Sequence, residues 1–248
     1  FRQPESMTRI IWRSFRRHKP AIAGLVLILF LGLASVLAPL LTPHDPEKID
    51  LDNQLALPSW QHPLGTDDLG RDLLTRLLYG GRVSLTIGIM AMAMATTFGT
   101  LVGAVAGYYG GWVDNALMRL ADVFLCFPGL FVLIILSLAL RELPIPALRG
   151  TAFASIAAIV LVIAALAWMT VAKLVRASFL SLKEKEFVEA ARACGATNRR
   201  IIARHILPNA ISPVIVAATF RVATSIITES GLSYLGFGVQ PPTATWGN

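Results

Sequence analysis

Charge is what this sequence has least of. Of its 248 residues, 15% are Asp, Glu, Lys or Arg, against about 25% in an ordinary soluble domain. Hydrophobic residues make up 55%, and the mean hydropathy is +0.63. That balance excludes a solvated globule and points to an integral membrane protein. Cysteine is nearly absent, with Cys126 in an apolar run and Cys194 in a basic one. Those surroundings belong on opposite sides of an apolar layer, so no disulfide is expected, and no metal-type cysteine cluster exists. No nucleophile–base pair, phosphate-cradling loop or metal-ligand set is visible, so the chain itself is read as non-catalytic, with no metal and no cofactor of its own. The net charge of +7 would suit nucleic acid. The charges gather instead at the ends of apolar runs, which argues against that partner. The first apolar run is long enough to span and lacks a clear cleavage site, so it is not read as a signal peptide.

What the sequence does have is a succession of five apolar runs, expected to span at 21–41, 83–107, 113–140, 152–172 and 211–230. Two regions follow: 1–82, with a basic segment, the first span and a long loop, and 83–248, the transmembrane core. Before the first span, Arg2, Arg9, Arg13, Arg16, Arg17 and Lys19 face only Glu5, which marks the cytoplasmic side. The loop 42–82 carries seven acids against four bases and suits the other side. Within it, His62-Pro63-Leu64-Gly65-Thr66-Asp67-Asp68-Leu69-Gly70-Arg71-Asp72 has the composition of a metal site but not convincing ligand spacing. An Asp-rich turn is expected, with Asp67 or Asp68 starting a short interfacial helix through Leu73, Leu74, Leu77 and Leu78.

The second span holds Gly88, Gly99, Gly103 and Gly107, the small residues of a close-packing helix. Thr96 and Thr97 are candidates for a pore lining, although such hydroxyls more often bond a carbonyl of their own helix. In the third span Arg119 and Asp122 are spaced to pair, and Phe127-Pro128-Gly129 should kink the helix. The fifth span is the least apolar. Its Arg221 and Glu229 are functional candidates at membrane depth, unless each lies near an interface and snorkels.

Between the fourth and fifth spans, residues 173–210 carry eight bases against three acids. Charge bias and span counting both put this island in the cytoplasm. It reads as two short helices. Ser181 and Glu184 form a capping-box pattern for the first. Phe187, Ala190, Ala191 and Cys194 give it one small apolar face. Gly195 supplies the left-handed turn, Thr197 or Asn198 caps the second helix, and Pro208 and Pro213 bound its end. Such a platform is a docking surface.

Glu189-Ala190-Ala191, Gly195 and Leu207-Pro208 resemble, in spacing, the EAA signature of permease subunits in bacterial ABC importers. His205 stands where that pattern has Ile. The stretches Gly65-Thr66-Asp67…Gly70-Arg71-Asp72 and Leu235-Gly236-Phe237-Gly238-Val239-Gln240-Pro241-Pro242…Trp246-Gly247 look like the dipeptide/oligopeptide/nickel branch, in particular its C-type permease. The resemblance implies an all-α bundle of the type I importer permease fold in the bacterial inner membrane, with its N-terminus cytoplasmic and a coupling helix in the EAA loop. It implies a second homologous permease, two ATPase subunits that hold ATP and Mg, and an extracytoplasmic substrate-binding protein. It makes Glu189, Ala190, Ala191, Gly195, Leu207 and Pro208 the coupling residues and leaves Thr96, Thr97, Arg221 and Glu229 as candidates for the path. Peptide is the default substrate; nickel, glutathione and oligosaccharide are alternatives, as is an ATP-independent transporter or channel. Family members also carry a sixth span after the Trp-Gly stretch, and the sequence is expected to stop short of it.

Overall fold

A computed structural model describes residues 13, 15–142 and 151–248. The basic segment before the first span and the outer loop expected at 141–150 fall largely outside these residues. The described structure is helical, and the chain divides into two units, Phe1–Arg82 and Val83–Asn248.

In the first unit, α1 (Lys19–Val36) starts where Nδ1 of His18 accepts from the Ala21 N–H and Pro20 fills an early position. Val26, Ile28, Phe30 and Val36 are each at least 60% exposed, an apolar surface suited to a lipid phase. A short turn, α2 (Ala38–Leu41), follows, and then the Asp-rich loop. That loop is tied by its own carboxylates. Asp67 accepts from the Leu69 and Arg71 N–H groups and from the Arg71 guanidinium. Burial alone would raise the Asp67 pKa, but these bonds outweigh it and hold the carboxyl below its ordinary value.

The long helix α3 (Leu73–Tyr109) begins in the same loop. Its cap is Asp72, whose Oδ2 accepts from the Thr75 N–H at 2.7 Å, rather than Asp67 or Asp68. The short interfacial helix expected at Leu73 is simply the first two turns of this span. Arg76 and Arg82 are carried in the helix without ending it, because side chains this long need not interrupt backbone bonding.

The second unit is organised around α6 (Ala152–Leu182). Each of its apolar clusters includes α6 residues: Ile159 and Ile163 in one, Val162 in the next, Trp168 and Ala172 in a third, Val175 and Phe179 in the last. The helix runs ten residues past the expected end, through Ser181, because Phe179 is fully buried and Leu182 packs against the same cluster. Ser181 therefore caps nothing.

Along α3, Gly99, Gly103 and Gly107 lie against α6. A Cβ on them would fall 2.6 Å from the Trp168 carbonyl oxygen, 2.4 Å from that of Ala172 and 2.6 Å from the Phe179 Cβ. Only glycine permits that approach, and the close-packing reading of this helix holds.

The third span is not a kinked helix but a broken one. α4 (Gly111–Leu125) and α5 (Gly129–Glu142) meet at 94°. Pro128 removes a donor and disfavours helix at Phe127, so the break falls there. The expected Arg119–Asp122 pair is replaced by partners on α6. Lys173 reaches Asp122, and Arg176 grips Asp114 with two N–H groups.

Beyond α6 lie α7 (Glu186–Ala193) and α8 (Asn198–Arg200). A π-helical segment, Ile201–Ile206, then leads without a stop into α9 (Leu207–Tyr234). Pro208 sits at the junction of the π segment and α9, in the first turn of the α-helical part. Pro213 is carried inside it, as membrane helices allow. The fifth span thus starts in the platform itself. Among the described residues four helices are long and apolar enough to cross a membrane, and five spans result if the bent pair counts as one.

Gly103→Val should lower the thermal midpoint of the detergent-solubilised protein, with a loss of about 1–3 kcal/mol from overpacking. Gly24→Ala on α1, where an added Cβ meets nothing within 4 Å, should leave it unchanged within about 0.5 kcal/mol.

Candidate functional site

The platform is a short helix sealed onto the transmembrane core by one buried side. Val188 is fully buried, beside Phe179 of α6 and Ile201 and Ile206 of the π segment. Ala104 and Tyr108 of α3 and Ala210 and Val214 of α9 complete the same cluster. A displacement of α7 is therefore felt by three spanning helices at once, since close-packed interiors transmit strain. The Tyr108 hydroxyl donates to the Asn198 carboxamide oxygen at 2.7 Å. The Arg192 guanidinium lies over the Tyr108 ring, 6.0 Å from its centroid.

The start of α7 is marked by charge rather than by a side-chain cap. Lys185 occupies the N-cap without a side-chain bond, and Glu186 and Glu189 lie in the first turn with Arg192 in the last, each favourable to the helix dipole. Its end is a Schellman turn. Gly195 has φ +76°, its N–H bonds the Arg192 carbonyl, and the Ala196 N–H reaches the Ala191 carbonyl.

The coupling set read from the sequence divides by exposure. Glu189, Ala190, Gly195 and Pro208 are exposed, whereas Ala191 and Leu207 are half-buried and pack against the core. A groove of about 500 Å³ runs along the outer face, lined by Phe187, Ala190, Ala191, Cys194, Gly195, Ala196, Arg200 and His205. Its small side chains leave room for an inserted residue, and Arg200 and His205 add polar groups to its wall. His205, the departure from the EAA pattern, thus faces the groove rather than the core. Sequence reading missed Tyr108 and Arg200. Only the fold brings Tyr108 to Asn198.

The path candidates are scattered. Thr97 is exposed on α3. Thr96 is half-buried, with its hydroxyl buried and without a hydrogen-bond partner. Arg221 is half-buried and lines a cavity of about 190 Å³ with Thr224, Ser225 and Thr228. Glu229 is fully buried. Its carboxyl accepts from Ser84 Oγ at 2.9 Å and from Ser233 Oγ at 2.7 Å. Those hydroxyls in turn accept from the Trp246 and Val239 N–H groups. Glu229 holds the Gly- and Pro-rich segment after α9 against α3, a satisfied network of the kind that fixes one conformation.

A family model described as "Binding-protein-dependent transport system inner membrane component" matches residues 99–248. The chain belongs to this family. A second model, "N-terminal TM domain of oligopeptide transport permease C", matches residues 6–58. Over 239 residues the chain is 40% identical to the "Dipeptide transport system permease protein DppC" of Alkalihalophilus pseudofirmus, covering 96% of this chain and 75% of that protein. It is 39% identical to the protein of the same name in Bacillus subtilis, over 98% of this chain and 72% of the relative. The "Glutathione transport system permease protein GsiD" of Escherichia coli is 40% identical, over 95% and 74%. The binding-protein-dependent family model thus spans α6 through α9 and with them the whole platform. The chain is an inner-membrane permease component of an ABC transport system, and its all-α spanning architecture agrees with that family.

Glu229→Ala should free the segment 236–248, seen as faster protease cleavage there, with about 1–3 kcal/mol lost from the groups left unpaired.

Proposed function

We propose that this chain forms half of the translocation path of an ATP-driven importer for di- and oligopeptides, and that α7 is its coupling helix. A second homologous permease completes the path. Two ATPase subunits, holding ATP and Mg, bind the cytoplasmic face, and an extracytoplasmic binding protein delivers the substrate. The N-terminus is cytoplasmic, and the Asp-rich loop lies outside. The observation that carries the coupling role is the two-sided character of α7. Val188 is sealed into the core shared by α3, α6 and α9, while Glu189 and Ala190 stay exposed beside the groove. A rigid element of this kind converts closure of a partner into rotation of packed helices.

Peptide as the substrate class is supported by the dipeptide permeases among the relatives. The glutathione permease fits the same class, because glutathione is itself a γ-linked tripeptide. Thr96, Thr97 and Arg221 are assigned to the path, with the Arg221 guanidinium suited to a peptide carboxylate. Glu229 serves that path from behind, by holding the segment that follows α9.

Gly195→Asp tests the coupling role. There is open space around Gly195, so the variant should assemble with its partners. An L-residue at φ +76° distorts the turn that presents the groove. In proteoliposomes the expected outcome is sustained ATP hydrolysis with uptake of labelled dipeptide reduced tenfold or more. Uptake at the wild-type rate would overturn the assignment.

A further inference from the structure

The loop that follows the first helix brings together three groups that the sequence keeps apart. One ring nitrogen each of His44 and His62 and a carboxylate oxygen of Asp72 lie within 4.8 Å of one another. The two imidazoles are stacked, with centroids 4.9 Å apart and planes 28° from parallel. From the sequence alone, the ligand spacing within 62–72 was not convincing, because that stretch holds only two of the three groups. The third comes from 18 residues upstream, which is why ligand spacing did not reveal it.

We propose that His44, His62 and Asp72 bind a divalent transition cation of the zinc class, with water in a fourth, open position. Two imidazoles and one carboxylate suit Zn²⁺, Co²⁺, Ni²⁺ or Cu²⁺ far better than Mg²⁺ or Ca²⁺, which take all-oxygen shells.

The supporting bonds are those that ligands of such an ion need. Nε2 of His44 is 2.9 Å from the Gln61 carbonyl oxygen. A carbonyl can only accept, so that nitrogen carries the proton and Nδ1 keeps its lone pair. Donation to a backbone carbonyl is how ligating histidines are commonly oriented. The second oxygen of Asp72 accepts from both the N–H and the hydroxyl of Thr75, at 2.7 and 2.6 Å. The carboxylate is thereby fixed while Oδ1 points to His62 Nδ1, 3.0 Å away. An ion seated there displaces the proton of that hydrogen bond, which leaves to solvent, and the two atoms become neighbouring ligands at nearly their present separation. Asp72 is buried and the histidines half-buried, so the site is walled on the carboxylate side and open on the other. The open side is a cavity of about 460 Å³ whose walls also include Asp45 and Asp50 against Lys48, an excess of negative charge that favours a cation.

Bound there, the ion fastens the turn after the first helix to the residue that caps α3. Its function is to cross-link the loop 44–72.

The test uses the complete transporter purified in detergent with chelator and then freed of it. Titration with Co²⁺ should show one site per chain with the visible absorption of tetrahedral coordination, and Zn²⁺ should displace it stoichiometrically. His44→Ala, which removes one half-buried ligand at the cost of its bond to the Gln61 carbonyl and its stack on His62, should weaken Co²⁺ binding at least tenfold and bleach the band. Asp72→Asn should do likewise while Thr75 retains an acceptor. A transporter that binds no Co²⁺, or a His44→Ala variant that binds it as tightly as the wild type, would overturn the assignment. In the latter case the stack and the His62–Asp72 bond are only loop packing. Neither result depends on what the transporter carries.

Discussion

The contact on which the second unit rests is the close approach of the α3 glycines to α6. Three glycines of α3, spaced four apart, let it lie against carbonyls of α6 and the Val171, Val175 and Phe179 side chains, with no α3 side chain between the helices at those points. In lipid, apolar surface alone does not bring helices together, because the tails outside are as apolar as the residues inside. Close approach has to supply the attraction through dispersion and dipoles. Once α3 and α6 are joined in this way, the remaining pieces have a fixed wall to build on. α4 is pinned to it by Asp114 and Asp122, and α5 and α9 join it through apolar clusters with α6.

The platform inherits that rigidity. Its only large buried groups, Val188, Ile201 and Ile206, enter the cluster built from the ends of α3 and α6. The bonds outside that cluster are few, with Tyr108 to Asn198 the most direct. α7 is thus firmly attached on one side and exposed on the other, and its exposed side is rich in small residues. Stability and partner contact are kept on opposite faces of a helix of eight residues.

Much of this was legible in the sequence. The positions of the apolar runs, the charge bias at their ends, the turn at Gly195 and a distortion at Pro128, expected as a kink and found as a full break, each rest on a local property of a few residues. What was not legible depended on residues meeting from afar. Ser181 looked like a cap because the burial of Phe179, which prolongs α6, comes from packing with elements elsewhere. Asp122 looked like a partner for Arg119 because the competing Lys173 lies on another helix. The role of Glu229 needed Ser84, 145 residues earlier, and the role of Asp72 needed Thr75 and His62. The helical pattern put Phe187, Ala190, Ala191 and Cys194 on one apolar face, but the fully buried residue of α7 is Val188; Phe187, Ala190 and Cys194 stay exposed and only Ala191 is half-buried.

The π segment has a consequence for register. The residues that face inward along this stretch are Ile201, Ile206, Ala210 and Val214. The first step is five residues and the later ones are four. An α-helix turns about 100° per residue, so the surplus residue re-aims everything that follows by about that angle relative to an uninterrupted helix. The platform and the last span can each present the side they need only because one extra residue is stored between them. Loss of a single amino acid there would shorten the chain by almost nothing, yet it would point Arg221, Ser225 and Glu229 at different neighbours.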